Sequence, residues 1–280
     1  TTVDATTPYG GMSQAVLWEG GEGTLARFVR EKLGSASTGA WLRGKDAWER
    51  RGVLVSAMGS LNVSLYLGTL FDDNSVAVVP RSESHLPAIW AFMSDAGYHD
   101  AVRRIDKALK VRGPLIEVPF DFSAWSSAAL PAPQALDPTQ WIFGGHPRGA
   151  SNPLQVAVAR LVGYRWPRQR QAAFLDFPAL GPDGLERHAD DDGIVCLPSL
   201  RGEAPAAERV RALLADAFGA EWSANKMNEL LAAVEFGGRS LDDWLRDGFF
   251  EQHCELFNQR PFVWHIWDGL RDGFAALVNY

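Results

Sequence analysis

Val53-Leu54-Val55, Val63-Ser64-Leu65-Tyr66-Leu67 and Val76-Ala77-Val78-Val79 are followed shortly by Leu86-Pro87-Ala88-Ile89-Trp90-Ala91-Phe92-Met93. The first three runs are short, apolar and partly β-branched, and Gly68, Asp72-Asp73-Asn74 and Pro80 punctuate them as turns do, so they read as strands. From Leu86 the period changes. Pro87 suits a first helical turn, and Ile89, Phe92 and Met93 share one face. Strands in succession followed by helices, without regular alternation, place the chain in the α+β class.

Downstream, the spacing predicts a second helix over residues 98–110. Val102, Ile105 and Leu109 fall at intervals of three and four and are expected to face the core, while Arg103, Arg104, Lys107 and Lys110 lie elsewhere around the cylinder, with Arg112 just beyond. A strand is expected over 115–120. Upstream, residues 25–33 have helical spacing closed by Gly34. Gly20-Gly21-Glu22-Gly23 stands before that helix in the position of a phosphate cradle, but no Gly-Lys-Ser/Thr follows, and it reads as a glycine turn.

Between residues 126 and 138 the composition turns to Ser, Ala and Pro, which marks a linker, extended to 150 by the turn Gly144-Gly145-His146-Pro147-Arg148-Gly149. Helices are expected beyond it at 153–162, 204–218, 223–234 with Ser223 as N-cap, and 240–257 with Ser240 and Asp243 as a capping pair. Pro261-Phe262-Val263-Trp264-His265-Ile266-Trp267-Asp268-Gly269 reads as a strand ending in an Asp-Gly turn, with a buried aromatic core as its expected role.

The 280 residues carry 27 Lys and Arg against 34 Asp and Glu, a net charge of -7, so an anionic partner must be met by a local patch. With 46% hydrophobic residues the chain is long enough for one large or two ordinary domains. Two cysteines, Cys196 and Cys254, make no disulfide framework and no zinc spacing, which fits a reducing cytoplasm. No apolar stretch is long enough to span a bilayer, and no signal peptide opens the chain. Its first residue is not Met and its last four are Leu277-Val278-Asn279-Tyr280, from which a fragment of a longer protein is expected.

Chemistry is harder to place. There is no Gly-x-Ser-x-Gly elbow and no His-Glu-x-x-His pair, so neither a nucleophile nor a catalytic metal is nominated. His188 beside Asp190, Asp191 and Asp192 reads as a solvated acidic loop rather than a metal site, and His253, Cys254 and His265 as packing residues. Two basic segments remain. Arg103, Arg104, Lys107, Lys110 and Arg112 form either a solvated helix face or a phosphate-contacting patch. Arg148, Arg165, Arg168 and Arg170, interleaved with Tyr164 and Trp166, suit phosphate contact with stacking or a structural cation-π arrangement.

Several linear motifs resemble those of large bacterial adenine-N6 DNA methyltransferases of restriction-modification and phage-defence systems, including BREX and DISARM relatives. They include Leu65-Tyr66-Leu67-Gly68 with Phe71-Asp72-Asp73-Asn74, His85-Leu86-Pro87-Ala88-Ile89-Trp90, Ala101-Val102-Arg103-Arg104-Ile105-Asp106 and Val118-Pro119-Phe120-Asp121. Further on stand Gly144-Gly145-His146-Pro147-Arg148-Gly149, Gly163-Tyr164-Arg165-Trp166-Pro167 and Phe249-Phe250-Glu251-Gln252-His253-Cys254 with Arg260-Pro261-Phe262-Val263-Trp264. With Arg201-Gly202-Glu203 and, at the end, Asp272-Gly273-Phe274, they span most of the chain from Leu65 onward. Two positions depart from the pattern, Met93-Ser94-Asp95 and Phe122.

The Asn-Pro-Pro-aromatic motif and the glycine-rich S-adenosylmethionine loop of that family have no counterpart here, since Asn152-Pro153 is followed by Leu154. The resemblance therefore implies the target-recognition and C-terminal region of such an enzyme. Residues 1–125 would form an α+β DNA target-recognition domain of mixed α/β make-up, 126–150 the linker, and 151–280 a mainly helical C-terminal domain. Double-stranded DNA and an upstream methyltransferase domain of the same parent protein are the implied partners. No cofactor is expected in this chain, S-adenosylmethionine is expected in the parent, and this chain alone is expected to be inactive. The two basic segments are the DNA-binding candidates, and no residue is a catalytic one. A protein-interaction scaffold of a phage-defence complex and, last, a carbohydrate-binding module are the alternatives.

Overall fold

The computed structural model describes residues 1–34, 44–200, 202–270 and 273–279, and its architecture is α+β. It divides into two compact units, one of Thr1–Gln134 with Phe174–Asp176, the other of Ala135–Ala173 with Phe177–Tyr280. The division falls inside the Ser/Ala/Pro-rich segment. Ile142 and Phe143, further along the expected linker, are fully buried in their unit.

Unit 1 begins with α1 (Thr24–Leu33), then a three-stranded antiparallel sheet of β1 (Arg51–Ser56), β2 (Val63–Leu67) and β3 (Ser75–Val78), with β1 in the centre. The register sets Val53 beside Leu65 and Val78, and Val55 beside Val63 and Val76, so one face is continuously apolar. Against it pack α2 (Leu86–Ser94), through Leu86, Trp90 and Met93, and α3 (Ala96–Ile105), through Tyr98 and Val102. The outer edge of β2 is covered by backbone bonds between Thr7, Pro8, Val63 and Leu65, which removes an open edge. A short helix, α4 (Phe122–Trp125), follows.

The glycine turn before α1 stands as expected, with no strand ahead of it among the described residues. The Glu19 carboxylate accepts the Thr24 N–H at 2.8 Å and so fills the place a phosphate would take. Two expectations fail. The second helix stops at Ile105 instead of running to residue 110, leaving Ile105 exposed and Leu109 73% exposed. Asp106 turns extended there and Val111, fully buried, takes the core position that the helical period had assigned to Leu109. Residues 115–120 form no strand. A 3-10 turn at Gly113–Leu115 precedes an irregular stretch in which Leu115 and Val118 alone reach the core and Pro119 has no N–H for a ladder.

Unit 2 holds α5 (Pro153–Leu161), β4 (Ile194–Cys196), α6 (Ala206–Phe218), α7 (Ala224–Ala233), α8 (Leu241–Asp247), α9 (Phe249–Leu256), β5 (Val263–Trp267) and β6 (Ala275–Asn279). Ser223 caps α7, and Ser240 with Asp243 forms the capping box of α8, both as the sequence predicts. The helix expected over 240–257 is broken at Gly248. A Cβ there would lie 2.5 Å from the Phe236 ring, so the backbone passes where only glycine fits. Two strands, β4 and β6, were not foreseen. They complete an antiparallel sheet in the order β4-β6-β5 whose inner face, Val195, Leu277 and Val263, is fully buried.

Candidate nucleic-acid interface

The first basic segment is built by the end of α3. Tyr98 and Val102 bury one side of the helix, which leaves Arg103 and Arg104 in its last turn, where the helix dipole favours cations. The chain then reverses. Asp106 accepts the Ala108 N–H at 2.8 Å, and the Arg103 guanidinium donates to the carbonyls of Ala108 and, at 2.7 Å, of Gly59. Lys110 pairs through the backbone with Met58, Val111 N–H donates to Ala57 O at 2.9 Å, and Ala57 N–H donates to Asn74 O at 2.8 Å. The β1-β2 loop, the β2-β3 loop and residues 106–112 thus meet at one corner of unit 1.

Five cations occupy that corner. Lys110 and Arg112 share Asp73, with Nζ 2.6 Å and Nη2 2.5 Å from its two oxygens, and their hydrogen bonds hold the Asp73 carboxyl below its ordinary pKa. Arg103 is spent on carbonyls. Arg104 and Lys107 are exposed and form no ion pair among the described residues. With the carboxylates of Asp72, Asp73 and Asp106 nearby, the corner remains net positive on an acidic chain. The exposed Ile105 and Leu109 stand among these charges.

The second basic segment does not form one surface. Arg168 is half-buried, donates to Pro178 O at 2.9 Å and Ile142 O at 3.1 Å, lies 5.3 Å over the Phe177 ring, and burial pulls its pKa down. That is the structural cation-π arrangement, and it removes Arg168 from the DNA-facing candidates. Trp166 is buried with its indole N–H on Pro138 O at 2.8 Å, which closes it to a base, and the half-buried Tyr164 already stacks on Phe262 at 3.8 Å. Arg148 pairs with Glu221 at the surface, and Arg165 and Arg170 are exposed.

The histidines divide sharply. His188 contacts Asp216, while Asp190 pairs with Arg209 at 2.8 Å, and among the described residues no three His, Cys, Asp or Glu converge as a metal site. His253 is fully buried between α5 and β5. Its Nε2 accepts the N–H groups of Phe262 and Val263 at 3.4 and 3.3 Å, which fixes the proton on Nδ1, donated to Gln155 Oε1 at 3.0 Å. Gln155 in turn donates to Phe249 O at 3.2 Å, and burial pushes the imidazole pKa down to about 4.

Sequence reasoning missed a second buried group. Arg160 on α5, 3% exposed, forks onto Asp183 at 2.7 and 2.8 Å and donates to Gly145 O at 3.0 Å. Burial opposes ionisation of Asp183, yet the Arg160 bonds and the Leu185 N–H hold its carboxyl below the usual range. The signal for it was one charge inside the apolar run 156–162.

β5 also differs from expectation. Trp264 and Ile266 lie on its outward face and His265 and Trp267 on the other, as alternation requires, but Trp264, Ile266 and Trp267 are all exposed. No helix among the described residues is long and apolar enough to cross a membrane. No protein-family model matches the chain, and no curated protein matches it.

Proposed function

We propose that the chain is the DNA target-recognition and C-terminal part of a site-specific adenine-N6 DNA methyltransferase, acting in the cytoplasm, with chemistry and S-adenosylmethionine on an upstream domain of the parent protein. The observation that carries this reading is the three-loop corner of unit 1, where Arg104 and Lys107 are exposed and form no ion pair among the described residues and Lys110 and Arg112 share a single carboxylate. Phosphates neutralised by such side chains position a protein on a duplex, and the motif resemblance names the class of duplex chemistry. Arg104 and Lys107 are the principal phosphate contacts, Lys110 and Arg112 reach phosphate once released from Asp73, and Arg165 and Arg170 are secondary.

Anisotropy titrations of duplex DNA across a salt series test it. Affinity should fall steeply with salt, and changing Arg104 and Lys107 together to Gln should lower the slope of log K against log salt by about 2, near 0.9 for each phosphate contact. Salt-insensitive binding, or a slope unchanged in the variant, overturns the reading.

One observation favours the scaffold alternative. The outward face of the β4-β6-β5 sheet presents Trp264 and Ile266 as exposed apolar neighbours on β5 and, across Val278 of β6, the exposed Ile194 of β4, the kind of patch that marks a protein contact. An unchanged DNA affinity of the assembled parent enzyme after the same double substitution selects it. The carbohydrate-module reading needs several Trp on one face, whereas Trp264 and Trp267 lie on opposite faces of β5.

A further inference from the structure

Leu109 is 73% exposed, the most exposed large apolar side chain among the described residues, and Ile105, the last residue of α3, is also in water. A lone leucine on an ordinary surface asks for no explanation. This one stands on the turn that carries the basic corner, with Lys107 two positions before it, Lys110 directly after it and Arg112 three positions on.

The turn is braced on both sides of Leu109. Before it, Asp106 accepts the Ala108 N–H at 2.8 Å, and the Arg103 guanidinium ties the Ala108 carbonyl to Gly59 O. After it, Lys110 bridges to Met58, and the fully buried Val111 donates to Ala57 O at 2.9 Å. Because α3 has ended four residues earlier, what projects is a narrow bend and not a helix. Leu109 is thus held out in water on a fixed backbone, and folding makes no use of it, since Val111 fills the core position nearby.

We propose that Leu109 is a wedge that enters the minor groove of duplex DNA between two base pairs and kinks the duplex, with Arg104, Lys107 and Lys110 on the phosphates that wall the groove. Charge, shape and chemistry agree on that partner. Exposed cations around the leucine complement phosphate. A helix needs the major groove, about 12 Å wide, whereas a single side chain on a bend fits a minor groove of about 6 Å. An aliphatic tip has no hydrogen-bonding group with which to read a base edge, but leucine is among the side chains that part stacked bases from the minor groove. Parting a stack is costly, and the bracing lets the leucine hold its place against that resistance. Pyrimidine–purine steps, the easiest to unstack, are where it should enter. The wedge rests on the duplex-binding reading above and adds to it a distortion that phosphate contact alone does not require.

Two duplexes of one sequence test it, one fully paired and one with a single central mismatch, where the stack is already weakened. In anisotropy titrations with the whole chain, the mismatched duplex should bind about tenfold more tightly than the paired one. Leu109→Ala should bind both duplexes equally and keep the salt slope of the starting protein, and Leu109→Met, still long and apolar, should keep the preference. Both variants change an exposed side chain and should melt with the starting protein. No preference in the starting protein, or the same preference in Leu109→Ala, overturns the wedge and leaves the phosphate contacts standing. Binding to neither duplex, or binding insensitive to salt, overturns the duplex reading and the wedge with it.

Discussion

In the corner of unit 1, Asp73 faces Lys110 and Arg112 with all three side chains substantially in water, whereas in unit 2 Arg160 is 3% exposed and grips Asp183 through two parallel bonds. Both are carboxylates with cations at hydrogen-bond distance. In water the attraction is screened and the cations exchange partners at little cost, so the corner is suited to giving them up to a phosphate. In the interior the Arg160 guanidinium is shut off from water between Asp183 and, at 3.7 Å, Glu186, and removing it leaves a half-buried carboxylate without its hydrogen-bonded counter-charge. The comparison teaches that the chemical role of a charged side chain in this chain is set by its access to water, more than by its neighbours in sequence.

The largest effect should come from breaking the interior pair. Arg160→Met leaves the Asp183 carboxylate without its counter-charge and Gly145 O without its donor, and the loss in urea unfolding should be about 3 kcal/mol or more. Arg104→Met, at the exposed corner, should leave the urea midpoint within error of the starting protein. Equal losses in the two variants would erase the distinction.

The next effect is in pH. His253 has an ordinary pKa of 6.5 and a folded value of about 4. Between those values the unfolded chain binds more protons than the folded one, so stability rises with pH there and is lost as pH falls from about 6.5 toward about 4, in total on the order of 3 kcal/mol. Native carboxylates such as Asp183 add acid sensitivity of their own below their unfolded pKa, so the slope is read as a difference between the starting protein and His253→Gln. The variant should lose the part of the slope above about pH 5. Direct titration of the imidazole by NMR should find it neutral at pH 5, and a charged ring there would contradict the assigned hydrogen bonds.

Much of this contrast was invisible in the sequence, and the reasons are physical. The sheet of unit 1 is legible because its runs are short, apolar, β-branched and punctuated by turn residues, and α2 because the period changes at Leu86. The buried face of α2 is nevertheless Leu86, Trp90 and Met93, while Ile89 and Phe92, expected to share the face of Met93, are only partly buried. The caps at Ser223 and Ser240 are legible because they are local hydrogen bonds. The end of α3 is not, since Ile105 and Leu109 continue the apolar period perfectly well and only the long-range pairing of Lys110 with Met58 draws the chain out of the helix. The same long-range contacts decide which of five neighbouring cations is spent on carbonyls. Arg168 and Arg170 are two residues apart, yet one lies over Phe177 and the other faces water. Nothing in local spacing separates them.

The smallest structural change carries the finest test of the corner. Asp73→Asn removes one exposed carboxylate and should leave the melting temperature unchanged, because Lys110 and Arg112 are solvated with or without it. If those two cations are held in reserve for phosphate, the same substitution releases both at once. Duplex affinity at low salt should then rise, and the salt slope should steepen by up to about 2. A charge-neutral change at the turn, Asn74→Ser, controls for altered loop geometry, since it removes the Lys110 contact to Asn74 but keeps the Asp73 pair. Tighter DNA binding in Asp73→Asn with no gain in Asn74→Ser locates the effect in released charge. An affinity unchanged in Asp73→Asn means that the corner's cations never meet the duplex, and the acidic balance of the chain then extends to its most basic surface.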